Sequence, residues 1–163
     1  MKKSNHGNTV LALATSLFAL IGICVLFADA FNIPNWGTGF EAIFGLEKAN
    51  TTLCLGLFIA FLCDCLAILF PLLSFFIKGK GRGGLYLFVA ALGIAGATLA
   101  LFAKQFFVAS NANIRWVDPL EGEIANSLKL STAFITNAVF MYIVGALGLI
   151  GAYAGRPRKN DED

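Results

Sequence analysis

The chain is predicted to be an all-α integral membrane protein, an antiparallel four-helix transmembrane bundle with its N- and C-termini in the cytoplasm. Three observations predict this. Of the 163 residues, 58% are hydrophobic and only 13% are charged, with a mean hydropathy of +0.76; a soluble domain carries roughly 25% charged residues. The apolar residues are gathered into four runs, at about 9–28, 52–77, 85–108 and 124–153, and about 18 or more such residues suit a membrane-crossing helix. Finally, Lys2, Lys3, Lys78, Lys80, Arg82, Arg156, Arg158 and Lys159, eight of the twelve basic residues, share one side of a four-span arrangement. The positive-inside rule makes that side cytoplasmic. The other side holds Lys48, Arg115, Lys129 and an interfacial Lys104, with Asp29, Glu41, Glu47, Asp118, Glu121 and Glu123. The whole chain, 1–163, reads as one four-span domain, a multi-pass protein of the cell membrane whose surroundings are the lipid bilayer. The basic clusters read as topology determinants, and nothing in them suggests nucleic acid.

The first span follows Lys2-Lys3 and ends near Ala28-Asp29-Ala30, which resembles a signal peptide with a small-x-small cleavage site. Its apolar stretch of about 18 residues exceeds the roughly 7–15 of a signal peptide, which favours a retained span. Cleavage would leave three spans and an external N-terminus.

The first outer loop, 29–51, carries Trp36, Phe40, Ile43, Phe44 and Glu47 at helical spacing. That suits a short helix lying on the membrane interface, with Trp36 and Phe40 as anchors. The alternative is an apolar lid packed on the end of the bundle. Asn50-Thr51-Thr52 is formally a glycosylation acceptor but abuts the second span.

In the second span Pro71 lacks an N–H and leaves the Ala67 carbonyl without a helical partner, so a kink is expected near its cytoplasmic end. The inner loop, 78–84, is short enough only to join adjacent helices, and its lysines and glycines lack the phosphate-loop pattern. The second outer loop, 109–123, carries the anchor Trp116 and the turn Asp118-Pro119. Two tryptophan-bearing loops on one side predict an ordered outer cap.

The third and fourth spans are rich in small residues. Gly93 and Ala97, Gly148 and Ala152, and Gly151 and Gly155 are each four apart, and Gly145, Gly148 and Gly151 step by three. Such ridges let helix backbones approach closely. Packing within the bundle is the first expectation, association with another membrane protein or a second copy the next. The halves show no repeat, so an inverted-repeat transporter is not supported.

The inventory for enzymatic chemistry is thin. The single histidine, His6, lies in the polar N-terminus, and no His, Cys or Asp cluster has metal-ligand spacing. Cys24, Cys54, Cys63 and Cys65 all fall in spans. Cys63 and Cys65 diverge by about 200° on a helix, so buried free thiols are the default. The loop cysteine pairs of small four-span thiol oxidases are absent, and Cys24 with Cys54 is the one pair placed near a common face. No metal or cofactor is expected. The order of a larger outer loop, a short inner loop and a second outer loop resembles that of claudin-type tetraspan proteins. Only Trp36-Gly37 remains of their Trp-Gly-Leu-Trp signature and its following cysteines, so the likeness is one of architecture, not membership.

One residue stands apart. Asp64 lies within the apolar stretch 55–70, with no sequence neighbour to pair with. A carboxylate at that depth costs several kcal/mol, so a neutral acid is expected. Counted at 1.5 Å per residue, it lies about 18 Å below the outer end of its helix. Ser16, Thr98, Thr136 and Asn137 fall at comparable depth, and Lys104, about 9 Å nearer the outside, is the nearest cation. These residues predict an intramembrane polar layer: a hydrogen-bonded hub that sets helix register, or a site for a proton, a cation or a basic substrate. The chain is therefore expected to be a non-enzymatic accessory, assembly or interaction subunit. The alternative is a small proton- or cation-coupled carrier centred on Asp64.

Overall fold

In a computed structural model of the chain, the described residues are 3–32, 37–45, 51–77, 80–111 and 128–154. They form six helices: α1 (Lys3–Val25), α2 (Gly39–Phe44), α3 (Leu55–Leu73), α4 (Lys80–Leu101), α5 (Ala103–Ser110) and α6 (Thr132–Ala154). Parts of α1 and α4, and all of α3 and α6, are long and apolar enough to cross a membrane. The chain is thus an all-helical, multi-pass membrane protein in kind. Trp36, Trp116 and Gly155 lie outside the described residues.

The four long helices form a ring in which α1 packs on α3, α3 on α4, α4 on α6 and α6 on α1. The α4–α6 seam is the most intimate, and 44% of each of these spans is buried against 28% of α1 and α3. Glycine makes the seam possible. A Cβ on Gly93 would stand 2.5 Å from the Gly145 nitrogen, and one on Gly148 would stand 2.6 Å from the Ala90 nitrogen. Gly145 faces Ala90 and Ile94, Gly151 lies under the Tyr86 ring, Ala97 is fully buried and Ala152 half-buried. The ridge expected from sequence is therefore used inside the molecule.

Three stretches depart from the sequence expectation. The third apolar run is not one helix: the Phe102 N–H is shared between the Thr98 and Leu99 carbonyls, 3.2 and 3.1 Å away, and α5 restarts at Ala103. The restart lets α5 set Phe106 over Gly56 and Phe107 beside Phe31. In the fourth run residues 128–131 are not helical, and α6 begins at Thr132. Pro71 sits in the last turn of α3, which ends two residues later at Leu73.

One end of the bundle is capped. Leu26, Phe27 and Ala28 each bond three residues back, so α1 winds down in tight turns. The chain then returns over it, with Gly39 N–H donating to Ala28 O and Phe40 N–H to Leu26 O, at 3.0 and 3.1 Å. Gly39 must be glycine here, because a Cβ would stand 2.9 Å from the Leu26 carbonyl oxygen. Helix α2 starts on a capping box: Thr38 accepts from the Glu41 N–H, and the Glu41 carboxylate accepts from the Thr38 N–H at 2.6 Å. Asn32 and Ser131 extend the cap to the segment before α6 through Lys129 O and Ala30 O. Asn111, fully buried, ends α5, donating to Phe107 O and accepting from the Thr52 N–H at 3.1 Å.

At the opposite end Ser74 and Tyr86 bond side chain to side chain at 3.3 Å, and Arg82 Nε donates to Ile77 O.

Candidate functional site

Asp64 lies where all four spanning helices meet. It is 1% exposed, and Asn137 of α6, its partner, is 2% exposed. Asn137 Nδ2 donates to Asp64 Oδ2 at 2.7 Å and to the Gly22 carbonyl of α1 at 3.0 Å. Gly96 of α4 closes the fourth side, where a Cβ would stand 3.0 Å from Asp64 Oδ1. Helices α3 and α6 are not neighbours in the ring, so the Asp64–Asn137 bond braces the bundle across its diagonal.

The Gly22 contact follows from how α1 ends. A helix leaves its last four carbonyls without intrahelical donors. Because the Leu26 N–H turns to Ile23 O, the Gly22 carbonyl is one of these, and Asn137 supplies its donor. A Cβ at Gly22 would stand 3.4 Å from Asn137 Nδ2, an ordinary contact, so it is the carbonyl of Gly22 that the site uses.

Asp64 Oδ1 has no hydrogen-bond partner. An unpaired ionised carboxylate in such a place costs several kcal/mol, and an unpaired neutral polar group only about 1–3 kcal/mol. The geometry therefore favours the neutral acid, with its Oδ2 bonded and its Oδ1 in contact with carbon.

The polar layer expected from sequence is smaller than depth counting implied. Asp64 and Asn137 come together. Ser16 is buried but bonds elsewhere, donating to the Ile68 carbonyl of α3 at 2.8 Å, one turn along from Asp64. Thr98 does not join: it is exposed on the outside of α4, and its hydroxyl donates to Ile94 O in its own helix. Thr98 lies at the depth of the site, two residues from Gly96, but those two residues turn it about 200° away from Asp64. Thr136 lines an open cleft of about 410 Å³ at the capped end, with Asn32, Lys129 and Ser131. Its neighbour Asn137 faces inward while Thr136 faces this cleft, as the helical step of about 100° requires.

The interfacial residues also separate. Phe40 is half-buried and packs on Phe27, Phe44 and Phe61, with ring centroids 4.6, 6.2 and 5.6 Å away. Ala42 and Ile43 of the same short helix are buried, so α2 is a lid on the bundle end, with Phe44 left partly outside. Lys104 is half-buried on α5. Cys24, Cys54, Cys63 and Cys65 are all free thiols, and Ser110 donates to Cys54 Sγ at 3.4 Å.

Three contributors were missed in sequence. Gly22 and Gly96 act through a carbonyl and an absent side chain, which leave no polar mark. Asn111 was legible, because asparagine directly after the last apolar residues of a helix is a stop signal. Among the described residues no group of three or more His, Cys, Asp or Glu gathers to hold a metal. No family profile, curated protein or solved structure matches the chain.

Proposed function

We propose that this chain is a non-enzymatic accessory or assembly subunit of the cell membrane, working through its cap and its lipid-facing helix sides. Its partner is another membrane protein or a second copy of itself, not nucleic acid. The spans run antiparallel with both termini cytoplasmic. That arrangement is supported by the gathering of the segments after α1, before α3, after α5 and before α6 into one cap, and by the eight basic residues assigned to the other side. The observation that carries the reading is how the polar groups inside the spans are used. Asp64, Asn137 and Ser16 are spent on bonds between helices, and Thr15 and Thr98 on bonds within their own.

The test is extraction in mild detergent with cross-linking before lysis. A fixed complex of constant stoichiometry, retained by Asp64→Asn, is expected. A monomer in the cross-linked membrane would overturn the reading.

A second reading, a small proton- or cation-coupled carrier centred on Asp64, is favoured by the unpartnered Oδ1. Reconstituted vesicles decide between the two. A pH-driven flux lost in an Asp64→Asn variant that still assembles supports the carrier; no flux in wild type removes it.

A further inference from the structure

We infer that Asp64 is a proton-binding site, filled by a proton and closed to metal cations. This names the ligand of the site on which the carrier reading rests, and it stands whether or not anything is transported.

The Asp64 carboxyl and the Gly22 carbonyl gather around the Asn137 amide where the four helices converge. The Asn137 amide supplies donors to Oδ2 and to Gly22 O. Oδ1 receives none, although it is buried. On the helices packed around it, the described ionisable groups do not answer the deficit. Cys24 of α1 and Tyr142 and Tyr153 of α6 are exposed. Tyr86 and Arg82 of α4 bond Ser74 and Ile77, past the end of α3 and at least ten residues from Asp64. Cys63 and Cys65 flank Asp64 on α3 itself as free thiols, and α5 carries Lys104 on a helix that starts beyond the break at Phe102. A proton on the carboxyl removes the charge and needs no room.

A metal cation needs room and several oxygens. Calcium takes 6–8 oxygen ligands at about 2.3–2.6 Å, and magnesium demands an octahedron at about 2.0–2.1 Å. Oδ1 faces carbon instead. A methyl group built on Gly96 would stand 3.0 Å from Oδ1, 3.1 Å from Met141 Cε and 3.3 Å from Cys63 Cβ. The gap on that side is no larger than a methyl group, which leaves no room for an ion together with the further oxygen ligands it needs.

Infrared spectroscopy of the purified chain in lipid vesicles reads the site directly. At neutral pH the wild type should show the carbonyl stretch of a protonated carboxylic acid. The band should shift with isotope-labelled aspartate and vanish in Asp64→Asn. It should hold its position when choline chloride is exchanged for sodium, potassium or calcium chloride. Asn137→Leu, which removes the donor to Oδ2, should move it to higher frequency. The inference is overturned if labelled wild type shows no acid carbonyl, if the band survives Asp64→Asn, or if a metal salt abolishes it at constant pH. The labelled wild type decides the matter even where Asp64→Asn fails to assemble. Band without flux removes the carrier and keeps the proton site; flux without band overturns the proton site.

Discussion

Replacing Gly93 by alanine tests the central seam with one methyl group. That Cβ would lie 2.5 Å from the Gly145 nitrogen, 2.7 Å from the Met141 carbonyl oxygen and 2.8 Å from the Gly145 Cα. All three are backbone atoms and none can swing aside. Restoring an ordinary 3.4 Å contact requires α4 and α6 to part by about 0.9 Å. A gap of that size forfeits roughly a quarter to a half of each dispersion contact, itself worth about 0.1–0.2 kcal/mol. Over some tens of atom pairs the loss is about 1–3 kcal/mol, the usual range for overpacking. Alanine also gains up to about 1 kcal/mol of helix propensity over glycine, so the comparison must be with another glycine in the same helix. Gly84 serves, since a Cβ there meets nothing within 4 Å. Denaturation in mixed micelles, followed by circular dichroism, should place Gly93→Ala about 1–3 kcal/mol below Gly84→Ala. Equal stability of the two variants would refute the seam.

Three more outcomes follow from the bonds described. Asn137→Leu leaves Asp64 Oδ2 and the Gly22 carbonyl without a donor and should cost about 1–3 kcal/mol in the same assay. Adding Asp64→Leu should recover part of that loss, and strict additivity of the two changes would argue against direct coupling. Ser16→Ala should cost about 0.6 kcal/mol, the average for an interhelical bond in a membrane, while Thr98→Val should stay within about 0.5 kcal/mol of wild type; a reversed order would mean the two hydroxyls have been misassigned. Thr38→Ala should weaken the start of α2 by about 1 kcal/mol, speeding hydrogen exchange at the Glu41 amide about fivefold, and an unchanged rate would count against the capping box.

What could be read in the sequence and what could not divides along physical lines. Span number follows from bulk hydrophobicity, a property of twenty residues at once, and so survives local error. The Gly93, Gly145, Gly148 and Gly151 ridge was legible because glycine spacing along a helix is itself geometry. Asp64 and Asn137 were legible as polar residues in apolar surroundings, and they do meet. Thr98 and Thr136 do lie at the depth of the site, beside Gly96 and Asn137, but depth along a helix says nothing of which way a side chain turns, and both face away. The roles of Gly22 and Gly96 could not be foreseen, since a carbonyl left over at a helix end, or a missing methyl group, is visible only once the neighbouring helix is in position. Phe40 shows the same limit: an aromatic at an interface reads alike as an anchor or as a lid until its ring partners are known.

The contact between Asn137 and Gly22 joins residues 115 apart in the chain, and that between Asn137 and Asp64 residues 73 apart. Synthesis runs from the N-terminus, so both earlier helices exist before the amide that completes them. Until α6 arrives, the end of α1 lacks a donor and the acid of α3 lacks its brace. The last span is thus a keystone, and a chain interrupted before it presents two exposed polar groups by which a half-built bundle can be told from a finished one.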